Sequence, residues 1–220
     1  MVTSLQHPPR PQQREAIKAW NRQKIIAATI AVINARGISG TTIARVVEAA
    51  DVSMGLVNLH FESKQRLLEA VLRHMAERYD AHWRKALADA PDNARARIRT
   101  LVLADLDPAV LNLETLGVWY AFRAQARSSP VFISLVGNRD RELSARYEQL
   151  FTQLGRECDR NHSPETVTRG LIAMLEGIWA DYFLYPEEFD RGRALDMLSL
   201  YLQALYPGPF DLEKANRYRR

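Results

Sequence analysis

Residues 41–61 read TTIARVVEAADVSMGLVNLHF, and this stretch decides the fold of the N-terminal part of the chain. Threonines precede an apolar stripe of helical period, a polar break follows at Asp51, and Ser53 can cap a second short helix. We therefore predict helices over Ile43–Ala50 and Met54–Phe61. Two short helices joined by a turn of about three residues have the outline of a helix-turn-helix.

The rest of the chain shows the same helical period, with apolar residues three and four positions apart and no sustained alternation of the kind that strands show. This pattern predicts an all-α fold. A first helix is expected over Ala16–Ala35, ended by Gly37, and a long helix is expected over Lys64–Ala88. Further helices are expected at roughly residues 94–105, 111–127, 130–160, 164–184 and 190–205.

This pattern divides the chain into four segments. We expect a basic N-terminal arm at residues 1–14 and a domain with the helix-turn-helix at 15–65. A larger helical domain is expected at 66–206, and a mobile basic tail at 207–220. Residues 1–70 hold nine Lys and Arg against five Asp and Glu. This surplus suits a polyanion, although a mild excess also occurs in proteins that bind nothing charged.

The composition argues against several classes of protein: disulfide-stabilised, membrane-spanning, secreted and catalytic. Cys158 is the single cysteine in the sequence, so no intramolecular disulfide can form, which suits a reducing compartment. Apolar runs are too short for a membrane span, and the N-terminus lacks the apolar run of a secretory signal. We expect a cytoplasmic protein without a membrane partner. The five histidines are scattered and no phosphate-binding loop or nucleophile motif occurs, so we expect neither an enzyme nor a cofactor nor a metal site.

The second short helix has the division of faces that a recognition helix needs. Val57 and Phe61 can face the core, while small and polar residues face away. The outward set is Ser53, Met54, Gly55, Asn58 and Leu59. Thr41, Thr42 and Lys64 sit where neighbouring helices begin and could contact phosphates. The basic residues Arg10, Arg14, Lys18 and Arg22 would either reach DNA as an arm or form a solvated face.

Several of these residues together resemble the DNA-binding signature of the TetR family of transcriptional regulators. The matching positions are Gly37, Thr41-Thr42-Ile43, residues 50–55, His60-Phe61, Ser63-Lys64 and Leu67-Leu68. The resemblance implies that residues 15–65 form a three-helix DNA-binding domain and that a fourth helix leads to a variable ligand-binding core with dimers built by the last helices. Ligand binding and dimerisation are therefore expected at residues 66–206. It also implies DNA-facing or phosphate-adjacent positions at Thr42, Ser53, Met54, Gly55, Asn58, Leu59, His60 and Lys64.

The chain departs from that signature at two positions. Asp51 stands where the family usually has the glycine of the turn, which is tolerable because Asp visits positive φ more readily than most residues. Leu59 stands where an aromatic residue commonly precedes the histidine. His60 itself is either a DNA-facing residue or a core histidine with one satisfied nitrogen.

The second half of the chain carries aromatic residues at helical spacing. Over residues 164–184 small and large side chains separate onto two faces. The small residues Gly170, Ala173, Gly177 and Ala180 are predicted to form the dimer interface. The candidate ligand-binding residues are Trp119, Tyr120, Phe122, Trp179, Tyr182 and Phe183.

A second resemblance concerns the same half. Residues 119–122, 170–173, 176–179 and 193–194 are similar to the C-terminal domain of the BetI subgroup of the TetR family, which are choline-responsive repressors. This implies a quaternary ammonium effector, held by ring faces and one carboxylate, with Glu176 or Glu114 as counter-ion. An uncharged aromatic or lipid-like effector, in a regulator of efflux or catabolism genes, would fit the same rings nearly as well.

The sequence thus predicts a ligand-responsive repressor that binds a pseudo-palindromic operator in double-stranded DNA as a homodimer. A small-molecule effector would shift the helix that begins at Lys64 and so change the spacing of the two recognition helices. A helical interaction module without DNA binding is the alternative from another class.

Overall fold

The computed structural model describes residues 11–126 and 129–212, apart from the side chains at positions 11, 136, 138 and 139. All regular secondary structure in this part of the chain is helical, which confirms the predicted all-α class. The helices are α1 (Pro11–Gly40), α2 (Ile43–Ala50), α3 (Met54–Phe61), α4 (Lys64–Ala88), α5 (Ala94–Asp105), α6 (Leu113–Ala126), α7 (Pro130–Glu157), α8 (Pro164–Leu184) and α9 (Arg191–Leu205). Among the described residues, no helix is long and apolar enough to cross a membrane.

The chain divides into two compact units, of which the first ends at Val71 and the second begins at Leu72. Helix α4 is continuous across this division. Its first residues belong to the first unit, where Leu67, Leu68 and Val71 are buried. The first unit therefore extends beyond residue 65, where the sequence analysis places the boundary.

The turn between α2 and α3 is held by two caps. Thr42 Oγ1 accepts a hydrogen bond from Arg45 N at 3.3 Å, and Ser53 Oγ accepts one from Leu56 N at 3.2 Å. Asp51 ends α2 with left-handed backbone angles, φ 48° and ψ 60°. The aspartate thus takes the conformation that glycine usually supplies, because its short polar side chain is tolerated there.

Helix α1 begins earlier than the sequence predicts. It starts at Pro11, and its regular part ends where Gly37 turns to φ 66°. Ile25, Ile26, Ile30 and Ile33 of its second half are buried. The side chain of Trp20 is 63% exposed, so the first turns of α1 lie outside the core of this unit.

The basic residues that were expected to form an N-terminal arm differ in their exposure to solvent. Arg10 lies outside the described residues, and Arg14 and Lys18 are exposed. Arg22 is half-buried, with its guanidinium carbon 5.2 Å from the centre of the Phe61 ring. Arg22 therefore packs on the first unit instead of extending freely from it.

The second unit has one large apolar core built by α4 to α9. Buried aromatic rings run through it: Tyr147 stacks on Phe151 at 6.1 Å between ring centres, and Phe151 on Tyr206 at 5.6 Å. Phe122 of α6 meets Phe132 of α7 edge to face at 5.1 Å. Each aromatic side chain of this kind buries about 150–250 Å².

The expectation of a mobile tail from residue 207 is wrong for residues 207–212. Phe210 and Leu212 are buried. The Arg95 guanidinium donates to Pro207 O at 2.8 Å and to Gly208 O at 3.1 Å, and it lies 4.5 Å from the centre of the Phe210 ring. The prolines and glycine of this segment suggested a mobile tail. Contacts with Arg95, more than 100 positions earlier in the sequence, instead keep residues 207–212 on the second unit. Residues 213–220 of the predicted tail lie outside the described residues.

Candidate DNA interface and effector cavities

Helix α3 buries one face and exposes the other, as the sequence predicts for a recognition helix. Val57 and Phe61 are buried in the first unit. Gly55 and Asn58 are exposed, and the Leu59 side chain is 72% exposed. The exposed set also includes Ser53 and Met54 at the N-terminal tip. This face offers one amide side chain for base edges and no charged group within α3 itself.

Of the three residues predicted to contact phosphates around α3, two are accessible to solvent and one is buried. Thr42 is exposed, and Lys64 is half-buried with Nζ donating to Ile38 O at 3.1 Å. Thr41 is buried: its hydroxyl donates to Gly37 O at 2.8 Å and its backbone N–H to Ile38 O at 3.2 Å. Both donors of Thr41 are used inside the unit, so its expected phosphate contact does not fit the structure.

His60 is half-buried, with its ring tilted against Phe61 at 6.0 Å between centres. Burial lowers the pKa of His60 below its ordinary value, and the charges of Lys18 and Arg22 lower it further. Without a phosphate nearby, these effects favour the neutral imidazole, which can still donate one hydrogen bond.

In the second unit, a small cavity of about 70 Å³ combines aromatic rings with carboxylates. We call it the acidic cavity. It is lined by Tyr79, Asp105, Asp140, Leu143, Ile172, Leu175, Glu176 and Trp179. The Tyr79 hydroxyl donates to Asp105 Oδ1 at 2.5 Å, and the Trp179 indole N–H donates to Asp105 O at 3.3 Å. The rings of Tyr79 and Trp179 meet edge to face at 6.0 Å.

Glu176, one of the two carboxylates proposed from the sequence as counter-ion, already has a cationic neighbour. Arg123 Nη2 lies 2.5 Å from Glu176 Oε1. Burial acts to lower the pKa of Arg123, but the hydrogen bond and negative charge of Glu176 raise it overall. Two further carboxylates, those of Asp105 and Asp140, also line the acidic cavity.

A second, larger cavity of about 300 Å³ lies between α4 and the start of α6. We call it the basic cavity. Helix α4 contributes Met75, Arg78, Tyr79, Ala81, His82 and Lys85, and the chain from α5 onward contributes Ala109, Val110, Thr115 and Trp119. Tyr79 is the one residue that lines both cavities among the described residues.

The predicted ligand-binding residues are distributed over several places. Trp179 and Glu176 line the acidic cavity, whereas Trp119 lines the basic one. The remaining residues line neither: Tyr120 packs on Phe183, Tyr182 on Phe189 and Phe122 on Phe132, while Glu114 is exposed. The structure therefore does not bring the predicted ligand-binding residues together in one pocket.

Sequence reasoning missed Tyr79, Asp105 and Asp140. A signal for Asp105 was present, because it follows Ile98, Leu101 and Val102 at positions of one helical stripe. An acidic residue on an apolar stripe is seldom buried without a partner or a role. Asp140 carries no comparable signal, since it lies among charged residues of α7.

The small residues of α8 do not all face outward. A Cβ atom at Gly170 would overlap the hydroxyl of Tyr201 in α9 of the same chain, so Gly170 serves this internal contact. A Cβ atom at Gly177 would meet nothing within 4 Å, and Ala173 is exposed. Ala180 is half-buried. The assignment of Gly170 to the dimer interface is corrected accordingly.

Sequence comparison connects both units to known regulators. Residues 25–71 match the family described as bacterial regulatory proteins, tetR family, and residues 94–207 match the BetI-type transcriptional repressor C-terminal domain. The HTH-type transcriptional regulator BetI of Burkholderia thailandensis is 32% identical over 84% of this chain and 92% of its own length. This chain belongs to the TetR family. It is a ligand-responsive DNA-binding transcriptional repressor of the BetI type.

Solved structures share the fold of this TetR-family repressor. A putative transcriptional regulator from Pseudomonas aeruginosa superposes with a TM-score of 0.78 at 24% identity and covers 96% of each chain. A putative regulator from Saccharomonospora viridis, solved in complex with choline, superposes with a TM-score of 0.75 at 18% identity, over 84% of this chain and 96% of its own. By sequence, the HTH-type transcriptional regulator BetI of Paraburkholderia phymatum is also similar: it is 32% identical over 84% of this chain and 92% of its own length.

Proposed function

We propose that the repressor reads its operator with the exposed face of α3 in the major groove. Asn58 supplies the amide that can pair bidentately with adenine, and Gly55 lets the backbone approach the bases. Thr42 and Lys64 flank this face at the starts of α2 and α4, where backbone N–H groups favour phosphates. His60 can add one hydrogen bond from its ring N–H.

Replacing Asn58 by alanine is expected to weaken binding to a selected operator duplex about 10- to 100-fold, because one bidentate base contact is worth about 1–3 kcal/mol. Binding to unrelated duplex should change little. Fluorescence anisotropy at one fixed salt concentration measures both. Gln23→Ala, which removes an exposed amide from α1, is the control and should bind as the unaltered protein does. Equal weakening on operator and unrelated DNA would count against the assignment.

For the effector, we propose a quaternary ammonium compound of the choline class bound in the acidic cavity. The observation that carries this is the meeting of two aromatic rings, Tyr79 and Trp179, with the carboxylates of Asp105, Asp140 and Glu176. A quaternary ammonium has no N–H to donate, so ring faces and negative charge are the groups that hold it. The choline-bound regulator of the same fold supports this choice.

The size and charge of the cavity favour the same class. A single water needs roughly 10–15 Å³ of such space, so about 70 Å³ accommodates a molecule of a few non-hydrogen atoms. Arg123 offsets the charge of Glu176, but three carboxylates against this one guanidinium leave the surroundings of the cavity acidic, which disfavours an uncharged aromatic or lipid-like effector. A compact cation has the charge that these carboxylates attract.

For the response, we propose that the cation shifts α4, which carries Tyr79 and is continuous with the first unit. In a cytoplasmic homodimer this shift changes the spacing of the two recognition helices, so one half-site is lost. Coupling of this kind is typically about 1–3 kcal/mol. The exposed residues Ala173 and Gly177 of α8 and Met197 and Leu200 of α9 form the apolar face that we assign to the partner subunit.

Titration of choline into the protein tests the effector assignment. We expect saturable quenching of tryptophan fluorescence at micromolar to millimolar choline, lost or weakened in Trp179→Phe, because a phenyl ring attracts cations less than an indole. Trp83→Phe is the matched control, since Trp83 is a buried tryptophan of α4 that lines neither cavity. A response that survives in Trp179→Phe and is lost in Trp83→Phe would contradict the proposal.

A further inference from the structure

The basic cavity has an apolar floor. Met75, Tyr79, Val110 and Trp119 line it and are all at most 7% exposed. These side chains come from α4, from the chain that follows α5, and from α6. A pocket of about 300 Å³ with such a floor suits the hydrocarbon body of a ligand rather than a bare ion.

The rim of this cavity is cationic. Arg78 and Lys85 lie seven residues apart on α4, about 10 Å along the helix, and both line the cavity. No ion pair joins either to an acidic group among the described residues. Arg84 of the same helix differs, since it pairs with Asp80 at 2.7 Å and Glu142 at 3.0 Å.

The other polar groups around the basic cavity also favour a negatively charged ligand. No Asp or Glu lines it among the described residues. His82 Nε2 lies 3.2 Å from Ala104 O, and since a carbonyl only accepts, Nε2 carries the hydrogen. Thr115 lies in the first turn of α6, whose positive helix end favours negative charge nearby. Glu114 in the same turn is exposed and is not part of the lining.

We propose that the basic cavity is a second ligand site, which binds an organic carboxylate with an apolar body. The hydrocarbon part would contact Met75, Val110 and Trp119, and the carboxylate would bind Arg78 and Lys85 at the rim. Charge-assisted hydrogen bonds to these cations give the site its preference for an anion over an alcohol of the same length. The acidic cavity across Tyr79 has the opposite charge, so the two sites select different ligands.

Isothermal titration of the full chain with sodium octanoate tests this site. We expect saturable binding of octanoate and at least tenfold weaker binding of 1-octanol. The double variant Arg78→Gln/Lys85→Gln should lose at least tenfold in octanoate affinity, whereas Arg73→Gln, an exposed arginine of α4 outside the lining, should retain it. Thermal unfolding of each variant shows whether it is folded.

Three results would overturn the site. These are absence of saturable octanoate binding to the unaltered protein, equal affinity for octanoate and octanol, or an unchanged octanoate affinity in the folded double variant. The comparison of octanoate with octanol uses the unaltered protein, so it decides the question even where a variant fails to fold. Choline binding at the acidic cavity does not enter this test.

Discussion

Phe122→Ala is expected to lower the free energy of unfolding by about 3–5 kcal/mol, because removal of a buried phenyl ring loses its transfer energy and leaves a cavity. The Phe122 side chain is fully buried, and its ring meets Phe132 edge to face at 5.1 Å. A chain of this size loses about 2–4 °C in melting temperature per kcal/mol. The melting temperature should therefore fall by roughly 6–20 °C.

Thermal unfolding at one fixed protein concentration measures this effect, since the proposed dimer would make the melting temperature depend on concentration. Leu113→Ala is the control from the same helix: Leu113 is exposed, and its replacement should change stability by at most about 0.5 kcal/mol. A Phe122→Ala variant that melts like the unaltered protein but no longer binds choline would restore Phe122 as a ligand residue and refute its place in the core.

Asp105→Asn is expected to reduce choline affinity by a factor of roughly 30, corresponding to about 2 kcal/mol, the lower end for removal of one charge from a buried ion pair. Asp105 is 4% exposed and accepts a hydrogen bond from the Tyr79 hydroxyl at 2.5 Å. Asparagine keeps the size and an acceptor oxygen, so the variant removes charge with little change in packing. The value lies at the lower end because Asp140 and Glu176 remain.

Calorimetric titration of choline measures the change directly, and the choline concentration that half-maximally alters operator binding should rise by the same factor. Operator affinity without choline should stay as it is. Glu114→Gln is the matched control, because Glu114 was proposed from the sequence as counter-ion but lines neither cavity. Loss of choline affinity in Glu114→Gln with retention in Asp105→Asn would place the cation elsewhere.

The DNA-binding unit could be predicted closely from the sequence. The bounds of α2, α3 and α4 were predicted from period and capping residues alone. The buried positions Val57 and Phe61 and the exposed Asn58 followed from the same period. Each of these features depends on residues within a few positions of one another, where backbone hydrogen bonds and side-chain spacing decide the outcome.

For the proposed effector site, the sequence predicted the types of side chain but not most of the residues. Aromatic rings and a carboxylate were expected, but of the named residues only Trp179 and Glu176 line the acidic cavity. Trp119 lines the basic cavity instead. Helical spacing predicts the face of a helix on which a side chain lies, but it does not predict which other helix packs against that face. The same limit explains Gly170, whose small size serves Tyr201 of the same chain.

The sequence by itself determined the all-α class, the helix-turn-helix and its exposed face, since these arise from local period and caps. Tertiary structure alone decided which polar groups meet inside the second unit. Tyr79 and Asp105 are 26 positions apart, and Asp105 and Trp179 are 74 apart. Arg95 reaches carbonyls more than 100 positions away in the C-terminal segment. Such contacts depend on how helices pack against one another, and helical period constrains only the face that each helix offers.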